Sequence, residues 1–181
     1  MTPGILLTQR FAAGSDMSPP GASEMLRFRS VEGAAHDASV AYFTDAAALP
    51  ATPERASVRQ WACRQVSDSG PSAEVARVLM IVAFDVPAER ATMVDRWYDE
   101  EHIQLLCRAP GWLRARRYQT VHFSGGLRYT SLALHELRSV SVLDSAERAY
   151  ARSTAWRAAM QDEPWFVAAG RYVYESVNPN P

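Results

Sequence analysis

His102 is the residue whose type and neighbours bear most directly on chemistry, at the end of Trp97-Tyr98-Asp99-Glu100-Glu101-His102. A free imidazole titrates near neutrality and can act as a general base. On a helix, Asp99 lies one turn earlier and is placed to orient the ring. The helix C-terminus and the carboxylates of Glu100 and Glu101 are expected to raise the imidazole pKa. The plainer alternative is a capping or surface histidine in an acidic helix. No metal site is expected, because three consecutive helical carboxylates fan over about 200° and His102 with Asp99 makes only two ligands.

A second group lies on residues 112–123, WLRARRYQTVHF. In strand alternation one face carries Trp112, Arg114, Arg116, Tyr118, Thr120 and His122, and the other is more apolar. Arg114 or Arg116 can grip a carboxylate or phenolate with two parallel N–H donors, and the Tyr118 phenol can donate to a developing oxyanion. Tyr129, Ser131, Ala133 and His135 are placed on the matching face of the neighbouring strand, with Leu132 and Leu134 packing on helices. Each has a bland alternative: a packed aromatic for Tyr118, a solvent-facing edge for the arginines, satisfied strand histidines for His122 and His135.

The elements that must position these residues are legible between residues 75 and 178. RVLMIVAFDV (77–86) is a continuous apolar run with β-branched residues and predicts a buried strand. Pro87 and Glu89 open a helix that Pro110-Gly111 stops. Strands are predicted at 112–123 and 128–137 around the Ser124-Gly125-Gly126 turn, then a helix over 141–160 and a strand over 171–177. The order is β-α-β-β-α-β, the split unit of ferredoxin-like folds. Residues 1–74 carry strand patterns at 4–11, 38–44 and 62–66 and a short helix at 53–61, separated by loop-like stretches at 12–23 and 67–73.

Composition removes several classes. The 181 residues contain no lysine, and all 19 strong cations are arginine, which rules out Schiff-base, pyridoxal-phosphate and P-loop lysine chemistry. The net charge of -1 argues against a nucleic-acid partner. Cys63 and Cys107 make neither a zinc nor a disulfide pattern. No transmembrane run or signal peptide is read, so a cytoplasmic protein with a small-molecule partner and no membrane partner is expected.

The run DVPAERATMVDRWYDEEHIQLLCRAPGWLRARRY, the Gly-Gly turn and RYTSLALHEL resemble the dimeric α+β-barrel superfamily, nearest its EthD-like branch of small bacterial proteins. The pattern is a strand, a helix bearing W-Y-x-x-x-H, a Pro-Gly stop and a strand rich in arginine and aromatics, over about 100 residues. The resemblance implies two four-stranded sheets forming a barrel, either between the chains of a homodimer or in tandem. Residues 75–181 would then be the complete half, and residues 1–74 an eroded half without its own W-Y-x-x-x-H. It further implies that His102 points into the barrel cavity and that Tyr118 partners it. The leading expectation is a cofactor-independent isomerase, cyclase, dehydratase or decarboxylase on a small cyclic, aromatic or polyketide-like compound, with His102 as base. The alternatives are a cofactor-free monooxygenase of the same barrel type and a non-catalytic binder. No cofactor is expected, haem being the alternative.

Overall fold

The computed structural model describes residues 1–11, 18–31 and 36–177. Eight strands close into one antiparallel barrel: β1 (Gly4–Arg10), β2 (Glu24–Ser30), β3 (Asp37–Phe43), β4 (Val58–Asp68), β5 (Val78–Phe84), β6 (Trp112–Ser124), β7 (Ser131–Leu137) and β8 (Gly170–Ser176), in the spatial order β1-β3-β2-β8-β5-β7-β6-β4. The ring closes within one chain, through the pairings of β2 with β8 and β4 with β6. This is a mixed α+β fold with its helices gathered against β5, β6, β7 and β8. No helix among the described residues is long and apolar enough to cross a membrane.

β5 shows why its run of apolar residues is unbroken. Leu79, Ile81 and Ala83 point into the barrel with Ile5, Leu7, Val40, Tyr118, Leu132 and Leu134. Val78 and Met80 lie under Leu106, Trp112 and Leu137, and Phe84 lies under Val94, Trp97 and Phe166. A strand buried on both faces has no polar positions to alternate. Each such side chain contributes roughly 1.5–3 kcal/mol by leaving water.

The helical crossover after β5 runs through a 3-10 turn (Ala88–Arg90), α1 (Ala91–Trp97), a π-helical turn (Tyr98–His102) and α2 (Ile103–Leu106). The π turn, closed by the Ile103 N–H on the Tyr98 carbonyl, lets the inward set Val94, Trp97 and Tyr98 resume at Ile103 and Leu106. A regular α-helix would have rotated one of these groups to solvent.

Two expectations about elements are corrected, and one strand is new. Residues 53–61 do not form a helix. From Val58 onward they belong to β4, which β1 and β6 pair on either side, and that ladder overrides the helix-like spacing of Val58 and Trp61. The predicted helix over 141–160 is broken into a 3-10 segment (Val140–Asp144), α3 (Ala146–Ala151) and α4 (Ala155–Ala158), followed by α5 (Pro164–Val167). Ser145 and Thr154 cause the breaks, because their hydroxyls accept the Arg148 and Arg157 N–H groups and restart the helix each time. β2 was not anticipated. The loop-like stretch expected over 12–23 lies outside the described residues up to position 17.

Gly125 ties the β6–β7 turn to the start of β4. Its φ is +74°, and a Cβ added there would lie 2.1 Å from the Val58 carbonyl oxygen. Gly125→Ala combines a left-handed backbone with an unrelievable clash against main chain. The expected loss is about 2 kcal/mol, of the size associated with strain at special backbone positions. Urea denaturation checks it, and an unchanged midpoint would contradict it.

Candidate functional site

The crossover helix, β5, β7 and the broken segment after β7 line a half-open chamber of about 90 Å3 outside the barrel wall. Met80, Val82 and Phe84 of β5 and His135 of β7 form its floor. Trp97, Tyr98, His102 and Leu106 wall it on the helix side, with Trp112 beside them. Arg148, Arg152, Arg157, Phe166 and Arg171 form the rim. Larger hollows exist, about 270 Å3 beside Asp95 and Arg117, about 500 Å3 over the outer face of β1 and β3, and about 470 Å3 beside Val121, His122 and Phe123. The first two contain no histidine, in the first the buried Arg117 is already paired with Asp95 at 2.5 Å, and the third is an open hollow whose one histidine, His122, is solvent-exposed.

Local geometry aims the histidine. The π turn stacks the His102 ring on Trp97 at 4.2 Å and sets it edge-on to Tyr98 at 5.7 Å. His135, 1% exposed, lies edge-on to Trp112 at 5.2 Å. Among the described residues, His102 Nδ1, His135 Nδ1, Trp97 Nε1 and Trp112 Nε1 are buried polar atoms without a hydrogen-bond partner. Orphaned polar atoms are rare enough in folded proteins that four around one small chamber mark it.

The expected electrostatics are reversed. Burial, reinforced by the positive charges of Arg157, Arg152 and Arg148, pushes the His102 pKa down to about 4 against a weaker upward pull from the Ala151 carbonyl. Burial pushes His135 down to about 3, with His102 and Arg148 acting the same way. The carboxylates expected to raise His102 are engaged elsewhere: Glu100 with Arg96 and Glu101 with the Thr154 hydroxyl. Both rings are therefore neutral at physiological pH.

The other anticipated residues divide among separate places. Asp99 does not orient His102. It is half-exposed and faces Arg117 at 3.7 Å, because the π turn puts Trp97 and Tyr98 against the ring instead. Arg114, Arg116, Tyr118 and Thr120 do share the inward face of β6. Trp112 and His122 leave it, because register irregularities at Leu113 and beside Ala62 flip both ends of the strand. Trp112 then packs under the helices, and His122 is exposed beside Val121 and Phe123. The phase of β7 is the opposite of the one expected. Leu132 and Leu134 fill the barrel, while Ala133 and His135 face the helices. His102 likewise lies outside the barrel lumen, in the helix–sheet seam.

Inside the barrel the inward arginines already hold partners. Arg114 forks onto Asp68 at 2.9 and 2.5 Å. Arg116 donates to Glu136 and, at 2.8 Å, to the Tyr42 hydroxyl. Tyr118 is buried beside them, and burial raises its pKa. Tyr129 packs on Trp61 and meets the Tyr172 hydroxyl at 3.0 Å.

Sequence reasoning missed the rim arginines and His36, whose Nδ1 meets the Tyr174 hydroxyl at 3.0 Å. A signal was present: residues 146–160 hold three arginines against one glutamate. Among the described residues, none of Arg148, Arg152, Arg157 and Arg171 is within ion-pair distance of a carboxylate. No group of three or more metal-binding side chains occurs among the described residues.

No protein-family model matches the chain, and no curated protein matches it in sequence. Solved structures do match its fold. A protein of Fusobacterium nucleatum named a "putative monooxygenase" superposes with a TM-score of 0.63 at 9% identity, over 98% of this chain and 93% of its own. An "anthrone oxidase-like protein" matches with a TM-score of 0.61 at 10% identity, over 98% and 92%. A major regulator of staphylococcal pathogenesis matches with a TM-score of 0.60 at 5% identity, over 97% and 99%. The α+β barrel is thus shared among proteins with different names.

Proposed function

We propose that the protein oxidises a small enolisable or phenolic compound directly with molecular oxygen, in the chamber between the crossover helix and β5 and β7. The observation that carries this is the pairing of two neutral histidines, each with an unpartnered nitrogen, with aromatic walls under a positive field. A histidine whose conjugate acid has a pKa of about 4 is a weak base for carbon acids, which disfavours simple proton transfer as the whole reaction. The field that disfavours the imidazolium favours an anion. The substrate therefore reacts as its carbanion or enolate, with its proton released to water. The anion gives electrons to oxygen and forms a C–O bond. The peroxide takes up one proton, the remaining C–H proton leaves, the O–O bond breaks, and a carbonyl and one water result. His102 and His135 accept hydrogen bonds during these steps. The names of two structural neighbours agree with oxygen chemistry. The W-Y-x-x-x-H pattern further supports kinship with the EthD-like branch.

An oxygen electrode tests this on chelator-treated protein without added flavin, using cyclic 1,3-diketones, hydroxybenzoates and anthrone. At least one compound is expected to drive oxygen uptake matched by carbonyl formation, and His102→Leu is expected to lower kcat at least tenfold. No uptake above that of heat-denatured protein across the panel would sink the proposal. Turnover without oxygen uptake would favour the proton-transfer reaction instead.

A further inference from the structure

We infer that the chamber binds a single-ring aromatic carboxylate, its carboxylate held by Arg152 and Arg157 and its ring directed toward His102. This deepens the oxidation proposed above and rests on the same chamber. Four guanidinium groups converge on one opening without a carboxylate within ion-pair distance among the described residues. They repel one another: after burial, Arg152 lowers the pKa of Arg148, where Asp144 offsets part of it, and of Arg157, and it lowers that of Arg171 against a larger upward pull from Tyr98. Like charges are held together this way where an anion completes the set.

Most of the rim is built rather than loose. The Arg157 guanidinium donates to the Arg152 carbonyl at 3.1 Å and lies 5.3 Å over the Phe166 ring. Arg171 donates to the Phe166 carbonyl at 3.2 Å. Arg148 donates to the Leu143 carbonyl. Arg152 has no side-chain hydrogen bond to any described residue, which leaves its fork free for a ligand. The second, independent observation lies below the rim, where the buried His135 Nδ1 has no partner.

Size and wall chemistry narrow the class. The recess holds about 90 Å3 and is open on its rim side, less space than the roughly 150 Å3 cavity that accepts benzene. One ring therefore enters partway, with its anionic end at the arginines. Trp97, Trp112 and Phe166 offer aromatic surface to that ring. A fixed carboxylate matches two guanidinium forks, which a bare enolate oxygen cannot do.

Calorimetry under argon with benzoate, benzamide and inorganic phosphate measures binding without turnover. Benzoate is expected to bind at least tenfold more tightly than neutral benzamide. Arg152→Gln is expected to weaken benzoate about tenfold, leave benzamide unchanged and keep the wild-type melting temperature, and Arg152→Lys to restore part of the loss. Equal binding of benzoate and benzamide would overturn the inference, as would indifference to Arg152→Gln. Phosphate competing as well as benzoate would make the rim a plain anion site and overturn the aromatic class. Benzoate binding without oxygen uptake on any tested compound would leave this inference standing and remove the proposed oxidation.

Discussion

Between pH 6.5 and 4 the protein is expected to lose several kcal/mol of folding stability, and replacing His102 and His135 is expected to abolish most of that loss. Both rings are held neutral in the fold, at about 4 for His102 and about 3 for His135, against about 6.5 in an unfolded chain. Below pH 6.5 the unfolded state takes up protons at His102 and His135 that the folded state refuses, and His36 acts in the same direction. Stability from these groups is therefore complete above 6.5 and falls as pH drops toward the folded values. Each ring contributes on the order of 3 kcal/mol to the fall. Glu74 and Glu100, whose carboxyl pKa values are held down by hydrogen bonds from Arg138 and Arg96, lose their contribution only at lower pH, so the windows separate. Urea denaturation across pH 4–8 reads the slope. The His102→Leu/His135→Leu variant should fall much less steeply from 6.5 to 4.5, the remaining slope coming from His36, whose pKa burial also lowers. A flat wild-type profile would show that the rings charge freely in the fold.

The second large effect is expected inside the barrel. Arg116, 9% exposed, has Glu136 as its ion-pair partner, with the Tyr42 hydroxyl and ring as further contacts. Glu136→Gln leaves a guanidinium in the barrel end without its counter-charge, which costs about 3 kcal/mol for a pair this buried. Removing both charges, in Arg116→Met/Glu136→Leu, should recover most of that stability, because the desolvation of two ions disappears along with their attraction. Denaturation of the wild type, Arg116→Met, Glu136→Leu and the double variant closes the cycle, with Glu136→Gln measured beside it. Additive losses would mean that the pair contributes nothing as a pair.

The strands were legible where burial leaves a plain pattern, and obscure where register decides. β5 could be read because both of its faces are apolar. β2, EMLRFRS, alternates correctly, with Leu26 and Phe28 inward, but its charged residues hid it. At the site, His102, His135 and Trp112 were each recognisable as candidates, but their grouping depends on one extra residue at Leu113 and on the phase of β7. No local pattern reports either one. The arginine rim depended on hydroxyl caps at Ser145 and Thr154 outcompeting a longer helix, a close balance that helical periodicity conceals.

Closure of the eight strands within one polypeptide has a consequence for how such a protein can change over generations. In a barrel assembled from two copies, every substitution appears twice, and both halves must tolerate it. Here a substitution appears once. The stretch before β5, which shows a single 3-10 turn (Ala46–Ala48) as its only helical element among the described residues, can change without the same change appearing after β5. The later stretch can keep its chamber intact, and asymmetry becomes heritable without a second gene.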